Sequence, residues 1–185
     1  DARISGDTLS KVQSFMVDNE NTKIGICGVK LLDENGHIAR SCSRAPSAKA
    51  YFSEAIGLTK IFPSLGNAMS EWNHLDTRIV DQVIGAFFFV RRTLFLSLQG
   101  FDERFFVYFE EVDFSYRARK EGWCSAYFCG AEAFHKGGGS SDQVKATRLF
   151  YSMRSRIQYV FKHFNVPSVV LVLCITLLVE PVSRS

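Results

Sequence analysis

The chain has 185 residues, of which 46% are hydrophobic and 22% are charged. A chain of this length and composition can bury one proper core, and it is neither disordered nor fibrous. Its formal net charge of +3 is too small to indicate a nucleic-acid partner. Its five cysteines contain no Cys-x-x-Cys pair, which argues against a zinc site and favours a reducing, cytoplasmic location.

The first part of the chain predicts a helix, a buried strand and a hairpin. Apolar residues at helical spacing predict a helix over 7–19, and the β-branched run after it predicts a buried strand over 24–32. The Asn-Gly pair at 35–36 predicts a turn, with a returning strand over 37–43. Prolines and glycines interrupt residues 44–81, for which we predict a long, partly helical loop.

The second part alternates predicted strands and helices. Strands are expected over 83–90 and 123–128, and the second continues into or is followed by 133–135. Helices are predicted over 93–99 and 110–121, and each is followed by a glycine, a residue that often ends helices. A third helix is predicted over 143–164, where apolar residues recur at helical spacing. Alternation of this kind predicts an α/β fold, with a mixed sheet flanked by helices.

The C-terminal segment, 142–185, is expected to be distinct from the α/β part, 1–141. After the amphipathic helix comes an apolar run over 166–179, which is shorter than the ~20 residues that a membrane-spanning helix needs. Basic residues precede the run, and no acid lies between Asp142 and Glu180. We therefore expect peripheral contact with an anionic membrane, and the alternatives are a buried core helix or an apolar dimer face. The oligomeric state stays open.

The densest chemical pattern is a group of five carboxylates within the twelve residues from Asp102 to Asp113, interleaved with aromatic residues. Like charges held close in apolar surroundings raise each other's pKa, which suits general acid and base catalysis. On a helix, Glu110 and Asp113 share a face while Glu111 points elsewhere, and Asp113 can reach Arg117. The alternative is that these acids only match the dipole of a helix N-terminus.

A second pattern is His135, which ends an apolar run just before Gly137, Gly138, Gly139 and Ser140. Backbone N–H groups of a glycine-rich segment can approach phosphate closely, and a neutral imidazole beside them can bind a divalent metal. The alternative is a structural histidine.

A third pattern is the Gly85-Ala86 pair inside an apolar run. Because glycine weakens a strand, its presence there indicates that a ligand or another backbone approaches closely. Tight packing explains it nearly as well.

Together these residues resemble the family-2 glycosyltransferases of the GT-A fold, and especially their bacterial rhamnosyltransferase-like branch. The matching segments are IGAFFFVRR (84–92), GFDERFFVYFEEVDFSYRARKEGW (100–123) and FHKGGGSS (134–141), and GVKLLDENGHIARSCSR (28–44) is also similar. The resemblance implies a partial GT-A fold without the N-terminal half that holds the nucleotide. The chain alone is therefore expected to be inactive.

The resemblance also implies roles for individual residues. Glu111 is expected to be the catalytic base, with Glu110 beside it and Asp113 as the alternative base. Asp1 resembles the last residue of a metal-binding Asn-Pro-Asp segment, so Asp1 and His135 are expected to hold Mn²⁺ or Mg²⁺.

The implied activity is an inverting transfer from a nucleotide-sugar, with dTDP-rhamnose ahead of UDP-sugars, to a glycan or lipid-linked acceptor. It would serve cell-surface polysaccharide synthesis at the inner face of the cell membrane. Substrate contacts are expected from Gly85, Ala86, Asp102, Arg117, Gly137, Gly138, Gly139 and Ser140. The alternative is an inactive, membrane-associated binding or scaffold domain of the same fold.

Overall fold

The structure is a computed structural model that describes residues 2–136 and 145–179. Its strands in chain order are β1 (Ala2–Ile4), β2 (Ile24–Leu32), β3 (Ile38–Ala39), β4 (Cys42–Ser43), β5 (Arg78–Val80), β6 (Gln82–Val83), β7 (Phe89–Val90) and β8 (Cys124–His135). Its helices are α1 (Thr8–Val17), α2 (Ala48–Ala55), α3 (Arg92–Ser97), α4 (Glu110–Lys120), α5 (Lys145–His163) and α6 (Val166–Cys174), and a π-helical turn (Ile175–Val179) follows α6.

The centre of the fold is the parallel pair of β2 and β8, which are paired from Ile24–Cys124 to Leu32–Phe134 with two shifts of register. Four short strands border this pair in antiparallel orientation: β1 and β5 pair with β8, and β3 and β7 pair with β2. The predicted α/β fold, a mixed sheet flanked by helices, is confirmed. The strand predicted over 123–128 and 133–135 is one continuous strand, β8.

Two layers of helices cover the sheet because alternate side chains of a strand point to opposite faces. Cys27, Val29 and Leu31 of β2 pack with α1 on one face. Ile26 packs with residues of α3 and α4 on the other face. Both faces are covered, which explains why β2 is an almost continuous apolar run.

The prediction of one strand over 83–90 is wrong. A turn at Gly85-Ala86 separates β6, which pairs with β4, from β7, which pairs with β2. An apolar run indicates that its residues are buried, but it does not show that they form one continuous strand. The side chains of this run pack on both faces of the sheet. Ala86 packs with the α1 layer, whereas Phe88 packs with the α3 and α4 layer.

The described C-terminal helices pack against each other and against α2. The α6 residues Val169 and Val172 share a core cluster with Tyr51 of α2 and Val160 of α5. No helix within 2–136 or 145–179 combines the length and apolar character needed to cross a membrane.

Gly28 of β2 allows β6 to cross closely over the sheet. A Cβ atom at this position would lie 2.7 Å from two carbons of Val83, which is itself buried. We expect Gly28→Ala to lower the free energy of unfolding by about 1–3 kcal/mol through overpacking. Urea denaturation measures the change, with Gly6→Ala as the control because a Cβ there meets nothing within 4 Å. Equal effects of the two substitutions would contradict the prediction.

Candidate active site

A surface pocket of about 290 Å³ lies where the turn at Gly85 meets the first residues of α4. Its lining consists of apolar walls and two carboxylates: Gly85, Phe88, Val90, Phe101, Glu110 and Glu111. The pocket therefore combines two patterns that are separate in the sequence, the glycine of the apolar run and the acidic pair.

Gly85 faces open space. A Cβ atom built on it would meet no atom within 4 Å. Of the two explanations that the sequence left open for this glycine, tight packing is wrong. Ala86 turns the other way and packs with the α1 layer, and the pocket lining does not include it. Its predicted role in substrate binding stays a prediction.

Glu111 has the electrostatic properties of a group that can exchange a proton near neutral pH. Burial raises its pKa to about 7, and the neighbouring Glu110 carboxylate contributes in the same direction. Hydrogen bonds from backbone amides, including that of Gly85, oppose the shift only in part. The Oε2 atoms of Glu110 and Glu111 are buried and have no hydrogen-bond partner among the described residues. Leaving a buried acceptor without a hydrogen-bond partner costs free energy, and the cost is larger when the group is charged. This cost favours the protonated form of the carboxyl group.

The turn before the acidic pair is strained. Tyr108 and Phe109 have φ angles of +64° and +70°, a conformation that residues with a Cβ atom rarely adopt. Each costs on the order of 1–3 kcal/mol. α4 begins directly after this turn without a side-chain cap, which places Glu110 and Glu111 at its N-terminus, where the helix dipole favours negative charge.

Asp113 lies in a different environment although it is only two residues from Glu111. It is fully buried, and its Oδ2 atom accepts a hydrogen bond of 2.7 Å from Arg117 Nε, as the spacing in the sequence predicts. Its Oδ1 atom lies 2.5 Å from Lys162 Nζ and 2.7 Å from His163 Nε2. Burial raises its pKa, but the bonds from these three basic side chains outweigh burial and hold the pKa below its usual value. Asp113 is therefore an ionised anchor between α4 and α5.

Lys162 and His163 were not among the predicted site residues. Their only signal is the basic character of α5, and nothing local links them to a carboxylate almost fifty residues earlier in the chain.

Asp102 and Arg117, both predicted to bind substrate, make internal contacts. Arg117 donates hydrogen bonds of 2.8 Å to the carbonyls of Leu98 and Gly100, which ties the end of α3 to α4. Asp102 accepts a hydrogen bond of 2.7 Å from Lys162. These contacts shape the segment before the acidic pair, and the role of either residue in binding substrate stays a prediction.

His135 ends β8, and its register partner is Ala2 of β1. Asp1, Gly137, Gly138, Gly139 and Ser140 lie outside the described residues, so their predicted roles are not tested. Within the described ranges, no three His, Cys, Asp or Glu side chains form a group that could hold a metal ion.

The chain is similar over part of its length to known glycosyltransferases. Over 72 residues it is 40% identical to the N-acetylglucosaminyl-diphospho-decaprenol L-rhamnosyltransferases of two Mycobacterium tuberculosis strains, CDC 1551 and H37Rv. The match covers 39% of this chain and only 24% of each relative. No family model and no solved structure match the chain. The comparison therefore supports a relationship to glycosyltransferases without defining the family.

Proposed function

We propose that this protein contributes the catalytic base and part of the acceptor site of an inverting, nucleotide-sugar-dependent glycosyltransferase of the GT-A type. The observation that carries the proposal is Glu111, a half-buried residue with a pKa of about 7 and a buried Oε2 atom, which lines a pocket next to an open glycine. A general base works best when its pKa is near the working pH.

In the proposed reaction the acceptor hydroxyl lies in the pocket and attacks the anomeric carbon of the donor sugar. Glu111 takes the hydroxyl proton as the new C–O bond forms, and the bond from the anomeric carbon to the diphosphate breaks with inversion. Gly85 leaves room for the acceptor because it has no side chain. The apolar walls formed by Phe88 and Phe101 keep water away from the carboxyl group.

Glu111 suits the role of base better than Asp113. Both oxygens of Asp113 are occupied by basic side chains, and its pKa is lowered. Glu111 lines the pocket, and its Oε2 atom lacks a partner among the described residues.

His135 and Asp1 would together hold a divalent cation, Mn²⁺ or Mg²⁺. The pairing of Ala2 with His135 supports this proposal, because it brings the start of β1 to the end of β8. When bound, such a cation would offset the negative charge of the leaving diphosphate.

The proposed donor is dTDP-rhamnose, and the proposed acceptor is a lipid-linked sugar diphosphate, because the relatives' name describes rhamnose transfer to such a lipid. The test is a transfer assay with the complete protein, comparing dTDP-rhamnose with UDP-sugars on N-acetylglucosaminyl-diphospho-polyprenol. Rhamnose transfer supports the proposal. No transfer from any donor, together with intact acceptor binding, would favour a binding or scaffold domain.

We also propose that the C-terminal helices contact the inner face of an anionic membrane. One face of α6 and its π-helical extension packs on α2 and α5, while the other face exposes apolar side chains, including Val170, Leu177 and Leu178. The run 166–179 has no charge, and residues 145–165 contain basic but no acidic residues. An apolar face next to a basic helix matches the boundary between acyl chains and anionic headgroups.

Introducing aspartate at Leu177 and Leu178 together is expected to reduce binding to phosphatidylglycerol vesicles by about tenfold or more, because two apolar contacts are lost and two like charges meet the lipid. Vesicle flotation measures the bound fraction. Leu96→Asp is the matched control, since Leu96 on α3 is 61% exposed and Leu177 is 62% exposed. Equal losses in the two proteins, or no binding by the wild type, would contradict the proposal.

A further inference from the structure

Helix α5 contacts the strained turn on the N-terminal side of the acidic pair. The Ser155 hydroxyl donates a hydrogen bond of 2.9 Å to the carbonyl of Val107, the residue before Tyr108. Ser155 itself is only 3% exposed, and Val107 is half-buried. A backbone carbonyl just outside the turn is thus held by a side chain from a distant helix.

Tyr159, four residues after Ser155 on α5, packs against Phe109, the second residue of the strained turn. Its ring centroid lies 5.4 Å from that of Phe109, and Tyr159 is fully buried in a cluster with Phe105 and Val112. Lys162 completes this row of contacts, with its ammonium group 5.6 Å from the Phe105 ring centroid. Tyr108 therefore lies between two residues, Val107 and Phe109, that α5 holds in place.

The same helix is anchored to α4 beyond the acidic pair. Lys162 and His163 both bond to Asp113, within the first turn of α4. α5 thus contacts the chain just before and just after Glu110 and Glu111.

We infer that α5 is a clamp that holds the Tyr108-Phe109 turn in its strained conformation and thereby aims Glu111 into the pocket, with Ser155 and Tyr159 as positioning residues. The inference follows from the geometry: two successive residues with positive φ are stable only where their surroundings hold them. Its relevance to catalysis rests on the proposed function, whereas the clamp itself does not.

The test is the titration of the Glu111 carboxyl group, followed by NMR of carboxyl-labelled glutamate. Ser155→Ala removes the bond to Val107, so the turn is expected to relax and admit water to Glu111. The apparent pKa of Glu111 should then fall from about 7 towards its ordinary value by about one unit or more. Ser115→Ala is the matched control: the Ser115 hydroxyl is also buried, but it has no partner among the described residues. This control should titrate like the wild type.

A second substitution tests whether strain is the reason. Glycine adopts positive φ without a Cβ clash, so Tyr108→Gly added to Ser155→Ala should restore the titration of Glu111. Ser155→Cys keeps a weaker donor of similar size, should shift the pKa less, and serves if Ser155→Ala does not fold. The clamp is disproved if Ser155→Ala titrates like the wild type, or, where Ser155→Ala does not fold, if Ser155→Cys shows no shift in the Glu111 pKa. It is also disproved if adding Tyr108→Gly does not restore the wild-type titration.

The outcome for the clamp is independent of the outcome for catalysis. In the complete enzyme, Ser155→Ala is expected to lower kcat about tenfold with little change in the KM for the donor, because the base is misplaced while the donor site is intact. If Glu111→Gln has no effect on turnover, the proposed function is wrong, but the NMR titration still decides whether α5 positions Glu111.

Discussion

On the proposed function, replacing Glu111 by glutamine is expected to lower the turnover of the complete protein by about 10²-fold or more while leaving donor binding nearly intact. Glutamine has the shape of glutamate but cannot take the acceptor proton, so the loss should appear in kcat. Steady-state kinetics measure the loss, and calorimetry with the nucleotide-sugar checks that binding is preserved. Turnover at the wild-type level would exclude Glu111 as the base.

The pH dependence provides a second measurement on the same residue. A base must be deprotonated to act, so kcat/KM should rise about tenfold per pH unit below pH 7 and reach a plateau above it, given a Glu111 pKa of about 7. Glu110→Gln removes the neighbouring charge that helps to raise this pKa, and should move the inflection to lower pH. An inflection that stays in place in Glu110→Gln would contradict the assignment.

Replacing Asp113 by asparagine is expected to lower the free energy of unfolding by about 3–5 kcal/mol. The substitution leaves Lys162 and Arg117, whose side chains are 18% and 20% exposed, without the carboxylate that both contact. Chemical denaturation measures the effect. Asp7→Asn is the control, because the Asp7–Lys11 ion pair is exposed and contributes little. A small effect of Asp113→Asn would contradict the role of Asp113 as the anchor between α4 and α5.

The contribution of Asp113 to the free energy of unfolding should also depend on pH. The folded-state pKa of Asp113 is below its unfolded value of ~3.9, so its contribution to stability is complete above that pH and is lost as the pH falls through the folded value. The wild type should therefore lose stability below about pH 4 more steeply than Asp113→Asn. Parallel stability curves for the two proteins would contradict this origin of the acid sensitivity.

Local sequence patterns were enough to predict part of the fold. The apolar run of β2, the helix that carries Glu110 and Glu111, and the α/β class were predictable because periodicity records which side of a segment is buried. The spacing of Asp113 and Arg117 also predicted their contact, since residues four apart on a helix are neighbours. The sequence also indicated that carboxyl groups in this segment raise each other's pKa, but not which of them has the raised pKa.

The different environments of Glu111 and Asp113 became visible only in the fold. Glu111 and Asp113 are two residues apart and look alike in the sequence, yet one lies beside a pocket and the other is enclosed by Arg117, Lys162 and His163. The turn at Gly85 was also visible only in the structure, because the apolar run over 83–90 has the pattern of one strand. A pKa depends on burial and on charges brought close by the fold, and these partners lie up to fifty residues away along the chain, where no local pattern reports them.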